Sequence, residues 1–291
     1  MVGKWDVKIE YYQENRPLGT AGAFGYLIDK LTEDFFVFYG DTIMDIHMQR
    51  MLKFHKEHGV DATLSVHPND HPYDSDIILL DKKRVKSFAN KPHPGGFISH
   101  NIVNVALFIF TLRVLSEIEV GTKSYIEKDV LPKCLEDEMH LYGYAPAEYI
   151  KDMGTPERYY AVCDDLTSGK VVRLNSKHTR SAVFLDRDGT INKEVNFLNT
   201  PRQVELLPGA MAIIKINDKC FLAIVITNQP VIARGECSWG KLDEIHAKLE
   251  TLLGEQHAYL NNIYVCPHHL DRGFKGERLK YKIVYNCRKP Q

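Results

Sequence analysis

Ala182-Val-Phe-Leu-Asp186-Arg-Asp188-Gly-Thr190 decides the reading of this chain. Four apolar residues ahead of an acidic turn read as a short buried strand. Asp186 and Asp188 then sit on the loop leaving that strand. Carboxylates one apart can share a metal ion, one attacking a phosphorus while the other moves protons. The plainer alternative is an acidic turn, since Asp-Gly pairs are common in turns. Phe221-Leu-Ala-Ile-Val-Ile-Thr227-Asn228-Gln229 is a second apolar run ending in hydrogen-bonding residues. Asn262-Ile-Tyr-Val265 reads as a third strand, and Pro208-Gly209 precedes a helix expected over 210–217. Leu242, Ile245, Leu249, Leu252 and Leu253 form one face of another helix. Such alternation implies a parallel sheet with helices on both faces. Ligands of such sheets bind beyond the carboxyl ends of the strands, where Asp186 and Thr227 can converge.

The order Asp-x-Asp-Gly-Thr, Thr-Asn-Gln and Cys287-Arg288-Lys289-Pro290 resembles the haloacid dehalogenase superfamily. Thr227-Asn-Gln-Pro-Val-Ile-Ala-Arg234-Gly235 and Cys266-Pro-His268-His269 narrow the resemblance to its histidinol-phosphate and heptose-bisphosphate phosphatase branch. The resemblance implies that Asp186 attacks phosphorus and Asp188 serves as acid and then base. Mg²⁺ would lie at both aspartates, with Thr227 and Lys289 on the phosphoryl oxygens. Asn228, Gln229, Arg234 and Arg288 are implied substrate contacts. Cys266, His268 and Cys287 resemble a structural zinc loop in which Tyr285 stands where a fourth ligand, a cysteine, is expected. Phenolate is a poor zinc ligand at neutral pH. Three ligands with water, His269 as the fourth, or plain thiols without Zn²⁺ all remain open.

The first half carries its own ordered set: Pro17-Leu-Gly19-Thr-Ala-Gly22, Gly40-Asp41-Thr42, Lys91-Pro92 and Lys151-Asp152-Met-Gly-Thr-Pro156. These resemble the sugar-1-phosphate nucleotidyltransferases. The resemblance implies nucleotide contact at Gly19, Mg²⁺ at Asp41 and Asp152, and a sugar phosphate at Lys91. Strands are expected at 35–39, 61–66 and 103–110, and a helix at about 46–58. The glycines of 17–23 permit close backbone approach to a ligand.

The fold class expected is α/β: two Rossmann-like parallel-sheet domains, a partial nucleotidyltransferase domain over 1–168 and a partial haloacid dehalogenase-type domain over 178–291. The polar, breaker-rich stretch 166–180 marks the boundary. The first half lacks the family's Gly-rich, Arg-bearing loop, so it is expected not to transfer nucleotides. The second lacks the acidic segment beyond the Lys. The expected function is a Mg²⁺-dependent phosphatase acting on a heptose 1,7-bisphosphate, fused to a nucleotidyltransferase-like domain of nucleotide-sugar synthesis. A histidinol-phosphate phosphatase is one alternative. An inactive fragment that binds a sugar phosphate or a partner is the other.

Bulk properties set outer bounds. The 291 residues are 44% hydrophobic and 26% charged, as in ordinary globular proteins. A formal net charge of −1 gives no electrostatic reason to expect a nucleic-acid or membrane partner. No run approaches the roughly 18 apolar residues of a membrane helix. The opening Met1-Val-Gly-Lys-Trp-Asp6 lacks an apolar signal core, and six scattered cysteines suit a reduced, cytoplasmic setting. The oligomeric state is not legible.

Overall fold

Phe35–Phe38 forms strand β1 because aromatic and β-branched side chains favour an extended, half-buried backbone. In the computed structural model, which describes residues 7–289, β2 (Thr42–Asp45), α1 (Met48–His58), β3 (Ala62–His67), β4 (Ile77–Asp81), β5 (Arg84–Ala89) and β6 (Val103–Phe110) follow. Then come α2 (Leu112–Leu115), α3 (Leu131–Glu136), β7 (Leu141–Tyr144), β8 (Tyr149–Asp152), α4 (Pro156–Thr167) and α5 (Lys170–Arg173). Pro290 and the N-terminal Met1–Asp6 lie outside the described residues.

The first sheet has six strands in the order β1-β6-β3-β7-β5-β4. The expected parallel sheet is corrected here to a mixed one. Only β3 and β7 run parallel, and the other main pairings are antiparallel. The physical reason is local. β4 and β5 are joined by a tight turn in which Lys82 takes a φ of 56°, a hairpin conformation rather than a helical crossover. On β6, Phe108 and Phe110 pack with Leu64, Ile126 and Leu131 on one face of the sheet, and Leu107 and Ile109 pack with Ile46 and Met51 on the other. A separate antiparallel ribbon pairs β2 with β8 and sets Thr42 opposite Asp152.

The second half contains β9 (Ala182–Leu185), α6 (Ala212–Asp218), β10 (Leu222–Asn228), α7 (Pro230–Arg234), α8 (Trp239–Gly254) and β11 (Asn262–Cys266). Its three strands are parallel in the order β11-β10-β9, as the alternation predicts. Helix α8 starts at Ser238, whose hydroxyl accepts the Lys241 N–H. Leu242, Ile245, Leu249 and Leu253 form its buried stripe. Helices do not cover both faces among the described residues: Phe184 and Tyr264 are 63% and 55% exposed.

The halves meet along α8. The Ser99 N–H donates to Thr251 Oγ1 (3.1 Å), and that hydroxyl donates back to the Ser99 carbonyl (3.1 Å). Glu250 accepts the Asn101 N–H at 2.9 Å and pairs with His100 Nδ1 at 3.1 Å. Asp243 meets the other His100 nitrogen at 3.1 Å. Gly254 lies so close to Pro72 that a Cβ there would fall 2.3 Å from a ring carbon.

Candidate functional site

Asp41 and Asp152 lie far apart in sequence, and the β2–β8 ribbon brings them together. The Met153 N–H donates to the Asp41 carbonyl at 2.7 Å. A Cβ placed on Gly154 would lie 3.6 Å from Asp152 Oδ1 and 3.7 Å from Asp41 Oδ2. Both carboxylates therefore face the same side of Gly154. Two carboxylates facing one space can share a cation. Oxygen donors of this kind suit a hard divalent ion such as Mg²⁺.

Beside Asp41 an open cleft of about 370 Å³ is lined by Thr20, Phe24 and the strand end Val37–Asp41. The Gly-rich segment that contributes Thr20 to this cleft is tightly built. Gly19 has φ +77°, and a Cβ there would sit 2.3 Å from the Ser124 carbonyl oxygen. Thr20 Oγ1 accepts the Ile126 N–H at 2.9 Å. The Tyr39 phenol donates to Glu127, with both carboxylate oxygens within 2.8 Å, and Asn104 donates to the same group at 3.3 Å. Burial and the Glu127 charge raise the phenol's pKa, so Tyr39 stays protonated. Glu127 lies in a short π-helical turn, Ile126–Val130, a feature frequent at functional sites. Lys91 does not join this group through any of its hydrogen bonds, which go to Asp74 and Asp76.

The second acidic loop is also assembled. Lys289 Nζ stands 2.9 Å from Asp186 Oδ2 and donates to the Ile226 carbonyl at 2.6 Å. Asn228 accepts the Lys289 N–H at 3.1 Å and donates back to its carbonyl at 2.9 Å. Thr227 and Gln229 are buried, and the Gln229 amide bridges Thr227 Oγ1 and Asp188 Oδ2 at 2.7 and 2.8 Å. Arg187, 1% exposed, grips Asp188 through Nε and Nη2 at 3.0 and 2.8 Å and reaches His246 at 3.1 Å. Asn192 adds a bond at 3.0 Å. Burial alone would raise the Asp188 carboxyl, but Arg187, Asn192 and Gln229 outweigh it and hold it below the usual carboxylate range. Arg234 is stacked between the Phe197 and Phe274 rings at 4.9 and 4.7 Å. Arg288 donates to the His268 carbonyl at 3.1 Å.

Cys266, His268 and Cys287 come together, their donor atoms within 4.8 Å of one another. The two cysteine sulfurs lie side by side, and His268 Nδ1 stands 3.3 Å from Cys287 Sγ. His269 does not complete a metal set. Its Nε2 faces Asp271 at 3.3 Å and its Nδ1 accepts the Asp271 N–H at 3.1 Å. Tyr285 stacks on the His268 ring at 4.4 Å rather than pointing its oxygen at an ion.

A Gly-rich wall, a strand-end aspartate and a second aspartate from a paired strand define a nucleotide-handling α/β domain. Residues 2–169 match the family described as nucleotidyl transferase, and the chain belongs to that family. Mannose-1-phosphate guanylyltransferase 1 of Arabidopsis thaliana is 29% identical, over 97% of this chain and 81% of that protein. Mannose-1-phosphate guanylyltransferase of Mycobacterium tuberculosis is 31% identical, over 56% of this chain and 45% of that protein. The chain spans under half the length of several further curated relatives it matches. The structure of D,D-heptose 1,7-bisphosphate phosphatase from B. bronchiseptica is 30% identical over 33% of this chain and 55% of that chain, with a TM-score of 0.30.

The expected function, a phosphatase of sugar bisphosphates, is therefore overturned. The family match and the relatives place the chain among nucleotidyl transferases, not phosphoric monoester hydrolases.

Sequence reasoning missed Glu127, Asn104, Arg158, Arg187 and His246. Arg187 was in view between two aspartates, but its partner His246 lies far along the chain.

Proposed function

We propose, in place of the expectation that the first half does not transfer nucleotides, that this chain transfers a nucleotidyl group, of the guanylyl type named for its relatives, from a nucleoside triphosphate to a sugar 1-phosphate of the mannose type. The convergence of Asp41 and Asp152 around Gly154 carries the reading. In such a transfer a sugar phosphate oxygen bonds to the α-phosphorus and pyrophosphate departs. A divalent ion, Mg²⁺ by its fit to oxygen donors, would be held by Asp41 and Asp152 and would offset phosphate charge. The Gly19 loop lets a ligand approach the backbone closely. The 370 Å³ cleft ends at Asp41 and has room for a sugar or base. Glu127, fixed by Tyr39 and Asn104, offers an acceptor for ligand hydroxyls beside it. Lys91 would reach the sugar phosphate only by leaving Asp74, an exposed and weak contact.

Domains at 1–168 and 178–291 belong to the same proposal. The second half shares with haloacid dehalogenase-type folds a parallel β9–β10–β11 core and a strand-end Asp-x-Asp. Asp186 and Asp188 are proposed there as a second carboxylate pair able to hold Mg²⁺. Hydrolysis is no part of the reading.

The test is pyrophosphate release from GTP and mannose 1-phosphate with Mg²⁺, for the parent chain and for Asp41→Asn. Release by the parent, lost in the variant, supports the proposal. Absence of release from the folded parent, with other nucleotides and sugar phosphates also inert, sinks it.

A further inference from the structure

Arg158 lies in the first turn of α4. Its backbone position is fixed: Thr155 caps the helix by accepting the Arg158 N–H at 3.3 Å, and Pro156 presets the first turn. Its guanidinium reaches back over the cap to Asp152 Oδ1 at 2.7 Å. That is the oxygen facing Gly154 and, across it, Asp41. Among the described residues Arg158 is the cation paired with this carboxylate couple. The pair is half open to solvent, the Arg158 side chain being 41% exposed. An exposed long side chain on a fixed backbone can leave without disturbing the helix.

We propose that Arg158 is a built-in counter-cation for the Asp41–Asp152 couple, which a divalent ion must displace in order to bind. The inference rests on the reading of that couple as a cation site. With the site empty, the guanidinium relieves repulsion between the two carboxylates. With a dication in place, guanidinium and ion are like charges at one oxygen, and Arg158 swings outward. The displaced charge stays at the rim of the site, where anionic phosphates of a ligand would approach. Arg158 thus lowers affinity for the free ion and favours the ion that arrives with a phosphate.

The test is Mn²⁺ binding to the full chain, followed by the electron paramagnetic resonance of free Mn²⁺. Arg158→Gln should bind about two- to fivefold more tightly than the parent, the range corresponding to loss of an exposed ion pair. Arg158→Lys, which keeps the charge, should return affinity toward the parent's. The increment should vanish in Asp41→Asn, which separates this couple from other carboxylates of the chain. A second readout is the melting temperature. Arg158→Gln should melt below the parent in chelator, and Mn²⁺ should close the gap. Equal or weaker Mn²⁺ binding by Arg158→Gln, with a melting gap that ignores Mn²⁺, overturns the inference while leaving the cation site intact. No Mn²⁺ binding sensitive to Asp41→Asn in any variant refutes the site reading itself, and the counter-cation role with it.

Discussion

Replacing Glu250 with Gln should weaken the junction of the two halves and flatten its dependence on pH. Glu250 is 14% exposed and accepts from both His100 and the Asn101 N–H. Burial alone would lower the His100 pKa, but hydrogen bonds to Asp243 and Glu250, with their charges, push it up to about 10. A histidine raised in the folded state contributes full stability below its unfolded value, near 6.5. That contribution is lost as pH rises toward 10. Each pH unit between the unfolded and folded values is worth about 1.4 kcal/mol, so the whole interval would approach roughly 5 kcal/mol without screening. His100 is one-third exposed and Asp243 is 71% exposed. Solvent screening reduces the expected contribution to about 2 kcal/mol. The assay is urea unfolding of parent and Glu250→Gln at pH 6.5, 8 and 9.5. The variant should be less stable by about 2 kcal/mol at pH 6.5, between exposed and fully buried ion pairs. The two stabilities should approach each other by pH 9.5. Parallel pH curves would refute the reasoning, because they would mean that His100 carries no charge-dependent contact with Glu250.

Further outcomes follow from other contacts. Gly19→Ala forces a Cβ to 2.3 Å from the Ser124 carbonyl oxygen at a positive φ; thermal melting should show a loss of about 1–3 kcal/mol. Leu249→Ala removes a fully buried side chain from the α8 stripe and should lose about 2–5 kcal/mol in urea unfolding. His246 is lowered to about 3, first by burial and then by Arg187. The unfolded chain therefore binds its proton earlier, and stability falls with pH below about 6.5. His246→Gln keeps an acceptor for Arg187, so its stability should fall less between pH 7 and 4.5 than the parent's.

The strands of the second half were legible because each is a short apolar run ending in polar residues, and three parallel strands repeat that pattern. The first half misled for a physical reason. Ile77–Asp81 and Arg84–Ala89 are joined by a two-residue turn at Lys82 and Lys83. Lysines do not announce a positive φ as Asn-Gly would. An antiparallel hairpin was thus hidden inside a chain that otherwise alternates, and the sheet came out mixed.

The aspartates were legible for a similar reason: Asp41, Asp152, Asp186 and Asp188 each end or follow an apolar strand. What holds each aspartate was not legible, because those partners are set by tertiary neighbours. Arg187 needed α8 to bring His246 within 3.1 Å, and Glu127 needed β1 and β6 to deliver Tyr39 and Asn104. The same contacts set what a motif leaves open. Asp-x-Asp tells where two carboxylates stand, but the proton affinity of the second depends on its donors. With Arg187, Asn192 and Gln229 all giving hydrogen bonds, Asp188 is a held anion. A carboxylate held by three donors keeps its negative charge. The charge state of an acidic motif is thus a property of the fold around it, and here Arg187, Asn192 and Gln229 keep Asp188 ionised.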